Sequence, residues 1–587
     1  MKTINLKDVV ESRYPAFKKK SRWLQSFAMW LFERILHLRE INSFIEKNAQ
    51  VYGINLIDEV FEMLNFSFSI SHKDMKKIPA EGRLICVSNH PIGSLDGMAL
   101  VRALVEIRPD VKIVANEILM TIENLREYFL PFTLDTTTAQ KKNIEAIGAA
   151  LEREEAVIIF PAGEVSRLRG LTVTDGRWNK GPIYFSKKFS APILPMFVKA
   201  KNSGFFYLFS WIHYSLSQVL LAHEMFNKKN KTIKIRIGDP IPAKAFSSNM
   251  INDKVQIKLL RKHTYLVGRG KVGIYATEKN IIHPVAKKLL KQELQNAELL
   301  GVTADLKKIY LTEINSAPNI LEEIARLREI TFRKVGEGTG KKLDLDKYDR
   351  HYKHIVVWDD EELEIVGSYR IGEGREIMQK FGVNGFYTSE LFVHSQEMVE
   401  LILPDCIELG RSFVQKKYWN TNALNILWLG IGAYLAKNEN VKYLFGPVSL
   451  SNNYPEPAKK MIVYYYEKWF GAERKLVKGK DEFSLSSSDR EKLENLFNTG
   501  DSRKDYFVLK NMLKPLGYTV PVLYKHYSEL CEHNGVNFHS FNTDMDFENC
   551  IDGLIIVEIA KIKEEKRNRY INVFIEKDKK VIELPVN

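Results

Sequence analysis

The sequence has few cysteines and no long apolar run among its 587 residues. The 4 cysteines show neither a CxxC pair nor the density of a disulfide framework, and they predict buried thiols in a reducing compartment: Cys86, Cys406, Cys531 and Cys550. No apolar run reaches the roughly 20 residues of a spanning helix, which argues against a transmembrane segment. The first residues, MKTINLKDVVESRYP, lack the apolar centre of a signal peptide.

Acidic residues are fewer than basic ones, with 73 Asp and Glu against 86 Lys and Arg and a net charge of +13. This excess favours an anionic partner: nucleic acid, an anionic membrane or an acidic protein. No basic tail, zinc-finger spacing or RNA-binding signature accompanies the lysines. We therefore expect no nucleic acid partner and no metal site.

Two segments have the pattern of membrane-surface helices. Residues 18–40, KKKSRWLQSFAMWLFERILHLRE, repeat apolar side chains at helical spacing behind three lysines. Residues 205–222, FFYLFSWIHYSLSQVLLA, are aromatic and apolar with polar interruptions. A core helix is the alternative interpretation of either segment, and for the first segment alone it is equally consistent with the pattern. Together with the positive charge, they favour peripheral attachment to a membrane.

The chain is too long for one hydrophobic core, and its pattern changes near residue 320. Residues 55–245 alternate helical segments with short apolar strands, typical of an α/β layer: Leu84–Ser88, Val111–Ala115, Ala156–Phe160, Ile193–Val198 and Ile233–Ile237. Later runs such as KHIVVWD, EIVGSYRIG, GFYTSELFV and DCIELGRSFVQ predict strands, and a long helix follows, which indicates an α+β domain. We therefore expect a membrane-interface helical segment over 1–54 and an α/β domain over 55–248. A helical connector is expected over 249–318, with its last helix ending at Gly301, and an α+β domain over 319–587.

A first candidate site lies in the stretch VSNHPIGSLDG, Val87 to Gly97, directly after a predicted strand. A neutral imidazole at His90 can act as a general base, and a carboxylate at Asp96 can fix its tautomer. The stretch FPAGEVSRLRG follows a second strand. Because parallel strands of one layer end at the same edge, both turns are expected to line one crevice.

The blocks NHPIGSLDG, VANEILM, FPAGEVSR and APILPMFV resemble the glycerolipid acyltransferase family over about residues 60–245. The resemblance implies that His90 deprotonates an acceptor hydroxyl while Asp96 orients it. It also implies a set of substrate-binding residues: Asn89, Gly93, Gly163, Glu164, Ser166 and Arg167.

Two departures from the common family pattern concern the acceptor. Five residues separate His90 from Asp96 instead of four, and FPAGEVSR replaces FPEGTRS, so that Ala162 and Val165 stand where the family has Glu and Arg. That arginine usually helps to hold an acceptor phosphate, although Arg167 or Arg169 could replace it. Both departures occur together in the hemolysin-like branch, which includes O-acyltransferases of aminolipid synthesis.

A second candidate site lies in ELGRSFVQKKY, which contains Glu408, Arg411 and Ser412. On a regular strand Glu408 and Arg411 would point to opposite faces, and a bulge or turn at Gly410 would be needed to bring them together. An ordinary ion pair at a strand end is the alternative interpretation.

The blocks RLREITFR, DLDKYDRHYKHIVV, IVGSYRIG, YTSELFV, ELGRSFVQKKY and FGPVSLS resemble the GNAT-like N-acyltransferases that make lyso-ornithine lipid, over about residues 320–560. The match includes the late stretch GVNFHSFNTDMDFENCIDGLIIV. Acyl-homoserine lactone synthases are more distantly similar. The resemblance implies that an amine attacks an acyl carrier protein thioester directly. It assigns amine and carboxylate handling to Glu408 and Arg411, and substrate binding to Arg328, Arg370, Glu390 and Ser412.

The whole chain resembles the bifunctional ornithine lipid synthases. The resemblance implies that the C-terminal domain N-acylates an amino acid with a 3-hydroxyacyl group and that the N-terminal domain esterifies the new hydroxyl. Acyl-ACP or acyl-CoA would be the donor, with no other cofactor. The expected partners are acyl carrier protein and anionic lipids at the cytoplasmic face of a bacterial inner membrane.

Two alternatives remain at this point. One is a lysophosphatidic-acid-type acyltransferase fused to an unrelated GNAT-like domain, and the other is a non-catalytic scaffold at the membrane surface. The head group is also open: ornithine is the family expectation, while glycine, lysine and glutamine remain possible.

Overall fold

The computed structural model describes residues 30, 33–132, 137–170, 172–212, 214–247, 251–419 and 421–575. The chain divides into two compact units, Met1–His283 and Pro284–Asn587. Each unit has its own sheet and its own core.

The N-terminal unit alternates helices and strands. Its helices are α1 Leu38–Lys47, α2 Gly53–Met63, α3 His72–Met75, α4 Ser94–Val105, α5 Thr137–Glu152, α6 Gly181–Phe189, α7 Gly204–Ile212, α8 Tyr214–Phe226 and α9 Asp253–Gly268. Its strands are β1 Ser67–Ser69, β2 Leu84–Ser88, β3 Val111–Asn116, β4 Phe129–Phe132, β5 Ala156–Ile159, β6 Arg167–Arg169, β7 Thr172–Thr174, β8 Ile193–Lys199 and β9 Thr232–Ile237. The five strands expected from the sequence all form, within one residue at each end.

The sheet of this unit has the order β1-β9-β8-β2-β5-β3-β4, and the run from β8 to β4 is parallel. Apolar residues of β2 enter a separate core on each face of the sheet, which is why its sequence is continuously apolar. The carboxyl ends of β2 and β5 lie side by side, so the turns that follow them meet at one edge. This is the expected α/β fold.

The C-terminal unit is an α+β domain. Its helices are α10 Lys287–Gln295, α11 Pro318–Val335, α12 Gly374–Phe381, α13 Thr388–Leu391, α14 Ala423–Lys437, α15 Glu456–Phe470, α16 Ser487–Leu496, α17 Ser502–Leu513, α18 Val522–Ser528, α19 Glu564–Arg567 and α20 Val573–Ile575. Its strands are β10 Glu298–Val302, β11 Lys308–Thr312, β12 Lys353–Asp359, β13 Glu364–Glu373, β14 Phe392–His394, β15 Cys406–Val414, β16 Tyr443–Leu450, β17 Val477–Gly479, β18 Val536–Asp544 and β19 Cys550–Glu558.

The main sheet of this unit has the order β10-β11-β12-β13-β15-β16-β19-β18. Neighbouring strands are antiparallel except β15 and β16, which are parallel. These two strands pair only over Cys406–Glu408 and Tyr443–Phe445, and beyond that point each pairs only with its outer neighbour. The sheet therefore opens between β15 and β16.

Residues 249–318 do not form the separate helical connector expected from the sequence. Helix α9 buries Ile257 and Leu260 in the N-terminal core, and α10 buries Leu290 and Leu294 in the C-terminal core. The last helix ends at Gln295, and Gly301 lies in β10 at a register shift instead of capping a helix. The many lysines of this stretch suggested a solvated connector. The few apolar residues on one face of each helix, which place α9 in one core and α10 in the other, were not recognised from the sequence.

The structure describes the two expected membrane-surface segments to different extents. Residues 1–29 and 31–32, which carry most of the first segment, lie outside the described residues. The second segment forms two consecutive helices, α7 and α8. Among the helices that the structure describes, none has both the length and the apolar content needed to cross a membrane.

Candidate active sites in the two units

His90 lies in the turn between β2 and α4, and Asp96 lies in the first turn of α4. Gly93, with a φ of 94°, allows the chain to double back so that Nδ1 of His90 comes within 3.2 Å of Oδ2 of Asp96. The backbone N–H groups of Ile92 and Gly93 donate to the same oxygen, at 2.9 and 3.2 Å. Burial raises the pKa of Asp96, and the hydrogen bond with His90 opposes this effect.

The imidazole of His90 remains accessible, because 19% of its side-chain surface is exposed. Phe160, the residue directly after β5, stacks on the ring with centroids 4.0 Å apart. The N–H of Ser166 donates to the carbonyl oxygen of His90 at 2.7 Å. The turns after β2 and β5 therefore meet, as the sequence predicted.

Other residues to which the resemblance assigned substrate binding, such as Asn89 and Glu164, contact other parts of the protein. Asn89 is buried and exchanges two hydrogen bonds with the backbone of Val198, at 2.9 and 2.8 Å, which clamps β2 to β8. Glu164 accepts a hydrogen bond from Arg169 at 3.1 Å and lies 3.4 Å from Nε of Arg167. Both guanidinium groups therefore face a carboxylate. Gly163 has a φ of 67° within the turn.

Asp175 is a buried carboxylate at this site that sequence reasoning missed. Its Oδ1 accepts the backbone N–H of His90 at 3.2 Å and the hydroxyl of Ser166 at 2.5 Å, and its Oδ2 accepts the indole N–H of Trp178 at 2.9 Å. It lies in TVTDGRW, outside every block that carried the resemblance. A lone Asp before Gly is the usual sequence of a turn, so no local signal distinguished it.

In the C-terminal unit, the carboxylate of Glu408 is buried and fully engaged. It accepts hydrogen bonds from the hydroxyl of Tyr352, from the N–H of Tyr387 at 3.0 Å and from the N–H of Thr388 at 2.7 Å. Burial raises its pKa, and these donors oppose the shift. Glu408 thus holds the start of the short helix α13. This contact explains why GFYTSELFV, expected to be one strand, forms a helical turn before β14.

Arg411 leaves the regular strand geometry of β15. Its φ is 49°, and the register of β13 and β15 shifts beside it. The guanidinium lies against the rings of Tyr387 and Phe547, 5.0 and 4.6 Å from their centroids, and 3.3 Å from Asp344. The expected bulge is therefore present, centred on Arg411.

Arg328 and Arg370 lie in the same charged cluster as Arg411. Arg370 donates to Asp346 at 2.8 Å, and Arg328 donates to Asp349 at 2.9 Å. The pKa of Asp349 lies well below its usual range, because Arg328 and Arg370 outweigh the effect of burial. Alternating acidic and basic residues, normally typical of a solvated surface, here form a buried network.

Glu390 and Ser412 lie away from this cluster. Glu390 is half-exposed and pairs with Lys347 at 2.8 Å. The hydroxyl of Ser412 bonds that of Tyr369, which belongs to the core on the other face of the sheet. Strand alternation separates Ser412 from its neighbour Arg411.

Two further carboxylates, Asp544 and Asp552, lie next to this cluster and were not predicted. Asp544 accepts the hydroxyl of Tyr387 at 3.2 Å, and Asp552 accepts the hydroxyl of Ser449 at 2.7 Å. Asp552 is 2% exposed, and burial, reinforced by Asp544, raises its pKa to about 7. Ser449 lies beyond the point where β15 and β16 part. Asp552 is therefore a buried group that can exchange a proton near neutral pH, close to the gap in the sheet.

Within the described ranges, no three His, Cys, Asp or Glu side chains are placed to hold a metal ion.

Comparison with known proteins identifies both units. A family model described as Acyltransferase matches residues 11–271, and one described as Acetyltransferase (GNAT) domain matches residues 327–429. The glycine N(alpha)-acyltransferase of Bacteroides thetaiotaomicron is 36% identical over 321 residues, covering 52% of this chain and 94% of that protein. The chain belongs to the acyltransferase family that includes this enzyme.

Two other relatives are similar over shorter stretches and at lower sequence identity. The lyso-glycine lipid O-acyltransferase of the same organism is 28% identical over 254 residues, 42% of this chain and 91% of that protein. The L-ornithine N(alpha)-acyltransferase of Rhizobium meliloti is 25% identical over 288 residues, 47% of this chain and 87% of that protein. The chain is therefore an acyltransferase with two domains, one matching the acyltransferase model and one the GNAT model, and it is similar to both O- and N-acyltransferases.

Proposed function

We propose that the C-terminal unit transfers a 3-hydroxyacyl group to the α-amine of glycine and that the N-terminal unit then acylates the hydroxyl of this lyso-lipid. The fusion of the two domains carries the proposal, because one relative is named for the first reaction and another for the second. The first product is amphiphilic, and joining the two units raises the local concentration of the second site.

Glycine is favoured as the head group over ornithine. The glycine N-acyltransferase is 36% identical to this chain, whereas the ornithine N-acyltransferase is 25% identical. Ornithine, the expectation from the motifs, is therefore the second candidate. Lipids with glycine and ornithine head groups differ in mass, so mass spectrometry separates them.

For O-acylation, His90 takes the proton of the acceptor hydroxyl on Nε2, while Asp96 holds Nδ1 at 3.2 Å. The hydroxyl oxygen attacks the thioester carbonyl, the C–S bond breaks, and the proton passes from His90 to the leaving sulfur. Glu164 faces both Arg167 and Arg169 and offsets their charge. This contact disfavours an acceptor phosphate, and with it the lysophosphatidic acid alternative.

For N-acylation, we assign the proton transfer to Asp552. Glu408, the residue suggested by the motif, already accepts three hydrogen bonds. Asp552 has a pKa of about 7 because it is buried beside Asp544, so its carboxylate can take a proton from the substrate ammonium. The amine then attacks the thioester, the C–S bond breaks, and the second amine proton passes to the thiolate.

Lipid analysis tests this proposal. The chain, His90→Ala and Asp552→Asn are expressed in a bacterium without aminolipids, and extracts are examined by mass spectrometry. The wild type is expected to give a diacylated glycine lipid, His90→Ala its mono-acylated form, and Asp552→Asn neither. Detection of a diacylated ornithine lipid would instead identify ornithine as the head group. No aminolipid from the expressed wild type, with activity on lysophosphatidic acid, would overturn the proposal, and full activity in His90→Ala would favour a scaffold.

Attachment to the cytoplasmic face of the bacterial inner membrane also belongs to this proposal. Phe205 and Leu208 on α7 are 53% and 56% exposed, and Leu168 on β6 is 51% exposed. Exposed cations accompany them at Lys199, the last residue of β8, and at Lys201, before α7. We call Leu168, Phe205 and Leu208 the apolar patch. Apolar side chains flanked by cations suit an anionic bilayer, from which the lyso-lipid would be taken.

The region beneath the apolar patch supports this assignment. Leu221 of α8 and Val165 of the turn after β5 lie within 4 Å of a Cβ placed on Gly93, next to His90. Phe206 and Tyr207 of α7 pack with Leu221 and Val165 in the same small core. An acyl chain that leaves a bilayer at α7 would therefore arrive beside the catalytic turn.

Vesicle binding tests the membrane assignment. Phe205→Asp with Leu208→Asp is compared with Phe507→Asp, a matched control because Phe507 is 64% exposed in the other unit. The double variant is expected to lose co-sedimentation with phosphatidylglycerol vesicles, and the control is expected to retain it. Equal binding of the wild type, the double variant and the control would contradict the assignment.

The acyl donor is proposed to be acyl carrier protein, whose acidic surface suits a chain of net charge +13. Acyl-CoA is the alternative. Steady-state rates with both donors at increasing salt decide between them. A carrier-protein reaction is expected to slow with salt more than a CoA reaction.

A further inference from the structure

Asp175 joins the two turns that form the N-terminal site. One of its oxygens, Oδ1, accepts both the backbone N–H of His90, at 3.2 Å, and the hydroxyl of Ser166, at 2.5 Å. The N–H of Ser166 in turn donates to the carbonyl of His90, at 2.7 Å. The strand end that carries the base and the turn after β5 are therefore fixed to the same carboxylate.

Asp175 is itself held from three directions. The indole of Trp178 donates to Oδ2 at 2.9 Å, Arg261 donates to the carbonyl of Asp175 at 3.0 Å, and the N–H of Asp175 donates to the hydroxyl of Tyr265 at 2.9 Å. Arg261 and Tyr265 belong to α9. Asp175 is 1% exposed, so its position is set by these contacts and not by solvent.

The two carboxylates beside His90 act on different parts of the residue. Asp96 contacts the imidazole at Nδ1, whereas Asp175 contacts the peptide N–H. The contact with Asp96 restricts the ring, and the contact with Asp175, together with the Ser166 N–H on the carbonyl of His90, restricts the backbone that carries the ring. A general base must lie within about 0.5 Å of its productive position, so both kinds of contact bear on proton transfer.

We propose that Asp175 is a positioning residue for O-acylation, which holds the His90 peptide and the Ser166 turn in the geometry that proton transfer requires. The assignment rests on the proposed function of His90. It also changes the part given to Ser166, because the hydroxyl proton of Ser166 is donated to Asp175 and not to a substrate.

The central test is Asp175→Asn, measured with purified full-length protein and lyso-glycine lipid. We expect kcat for O-acylation to fall about 10- to 100-fold with KM changed less than about twofold, as for a residue that acts on the transition state through another group. N-acylation by the same molecules is the internal control, and it is expected to remain unchanged.

Two comparisons separate positioning from general support of the fold. Trp178→Phe removes a donor to Oδ2 but leaves both contacts of Oδ1, so it is expected to retain most O-acylation. In a His90→Ala background, adding Asp175→Asn is expected to cause no further loss, because residues that act as a unit are not additive. Equal losses in Trp178→Phe and Asp175→Asn, or a full additional loss in the double variant, would overturn the proposal.

A readout without substrate keeps this inference separate from the proposed function. In protein labelled with nitrogen-15 at histidine, the backbone amide signal of His90 is identified by its absence in His90→Gln. The His90 N–H donates to Asp175 at 3.2 Å, so Asp175→Ala, which removes this acceptor, is expected to speed hydrogen exchange of that amide by about tenfold or more, whereas Trp178→Phe is expected to leave it unchanged. An unchanged exchange rate in Asp175→Ala would contradict the proposal. If wild-type protein does not acylate lyso-glycine lipid but the exchange rate rises in Asp175→Ala, the proposed function fails and the positioning of His90 by Asp175 stands.

Discussion

Oδ2 of Asp96 contacts Nδ1 of His90 at 3.2 Å while it also accepts the N–H groups of Ile92 and Gly93. All three contacts involve one oxygen of a carboxylate that is fully buried. The turn that carries the base therefore also holds its partner, and the short spacing between the two residues is sufficient to form the pair.

Asp96→Asn is expected to impair O-acylation selectively. An amide would disturb the tautomer that leaves Nε2 free, and in the Ser-His-Asp triad the same change lowers kcat by about 10⁴-fold. Rates of O- and N-acylation by the same preparation measure the effect, and N-acylation is expected to be unchanged. A parallel decline of both rates would indicate unfolding instead of a lost base.

The N-terminal site was predictable where its residues follow strands. Buried parallel strands are continuously apolar, so β2 and β5 were found to within a residue, and their ends placed His90 next to the turn that contains Ser166. Asp175 was not predictable, because it reaches the site from a later turn through tertiary packing alone.

The C-terminal site was predictable only in part, for a different reason. The resemblance proposed Arg328, Arg370 and Arg411 as site residues, and the structure brings the three side chains into one buried cluster. The resemblance could not reveal that the carboxylate of Glu408 is occupied by backbone donors, or that Asp552 lies near the gap in the sheet. Both facts depend on contacts between segments distant in sequence.

Glu408→Ala is expected to destabilise the C-terminal unit. The N–H groups of Tyr387 and Thr388 and the hydroxyl of Tyr352 would lose a buried acceptor, which costs about 3–5 kcal/mol. Calorimetry is expected to show a lower transition temperature for this unit and an unchanged one for the N-terminal unit. A normal transition together with lost N-acylation would instead assign Glu408 to the chemistry.

The kcat/KM of N-acylation is expected to rise as the pH increases through about 7. Asp552 accepts a proton only when ionised, and burial beside Asp544 raises its pKa to about 7. The pH profile of kcat/KM with glycine measures this limb, and Asp552→Asn is expected to remove most of the activity at every pH. A limb that persists in Asp552→Asn would assign the base to another group.

Asp552→Asn is also expected to stabilise the folded protein at alkaline pH. The pKa in the fold is raised from 3.8 to about 7, so the ionised group disfavours folding, and this penalty grows as pH rises between the two values. The gain from Asn should therefore increase by about 2 kcal/mol between about pH 5.5 and pH 8.5. Urea denaturation at both values measures it, and a gain independent of pH would contradict the titration of Asp552.

Gly446→Ala is expected to damage the place where β15 and β16 part. A Cβ at Gly446 would lie 2.1 Å from the backbone oxygen of Leu409, and a backbone atom cannot move aside as a side-chain end can. The strain is expected to cost about 3 kcal/mol, and N-acylation should fall because the gap is deformed.

Gly410→Ala provides the matched control for this prediction, because Gly410 lies in β15 next to Leu409 and a Cβ there would meet no atom within 4 Å. Denaturation and N-acylation of both variants measure the difference. If Gly410→Ala were as harmful as Gly446→Ala, the loss would reflect the flexibility of glycine in strands generally. If only Gly446→Ala loses activity, the close approach of the two backbones is what sets the gap between β15 and β16 beside Asp552.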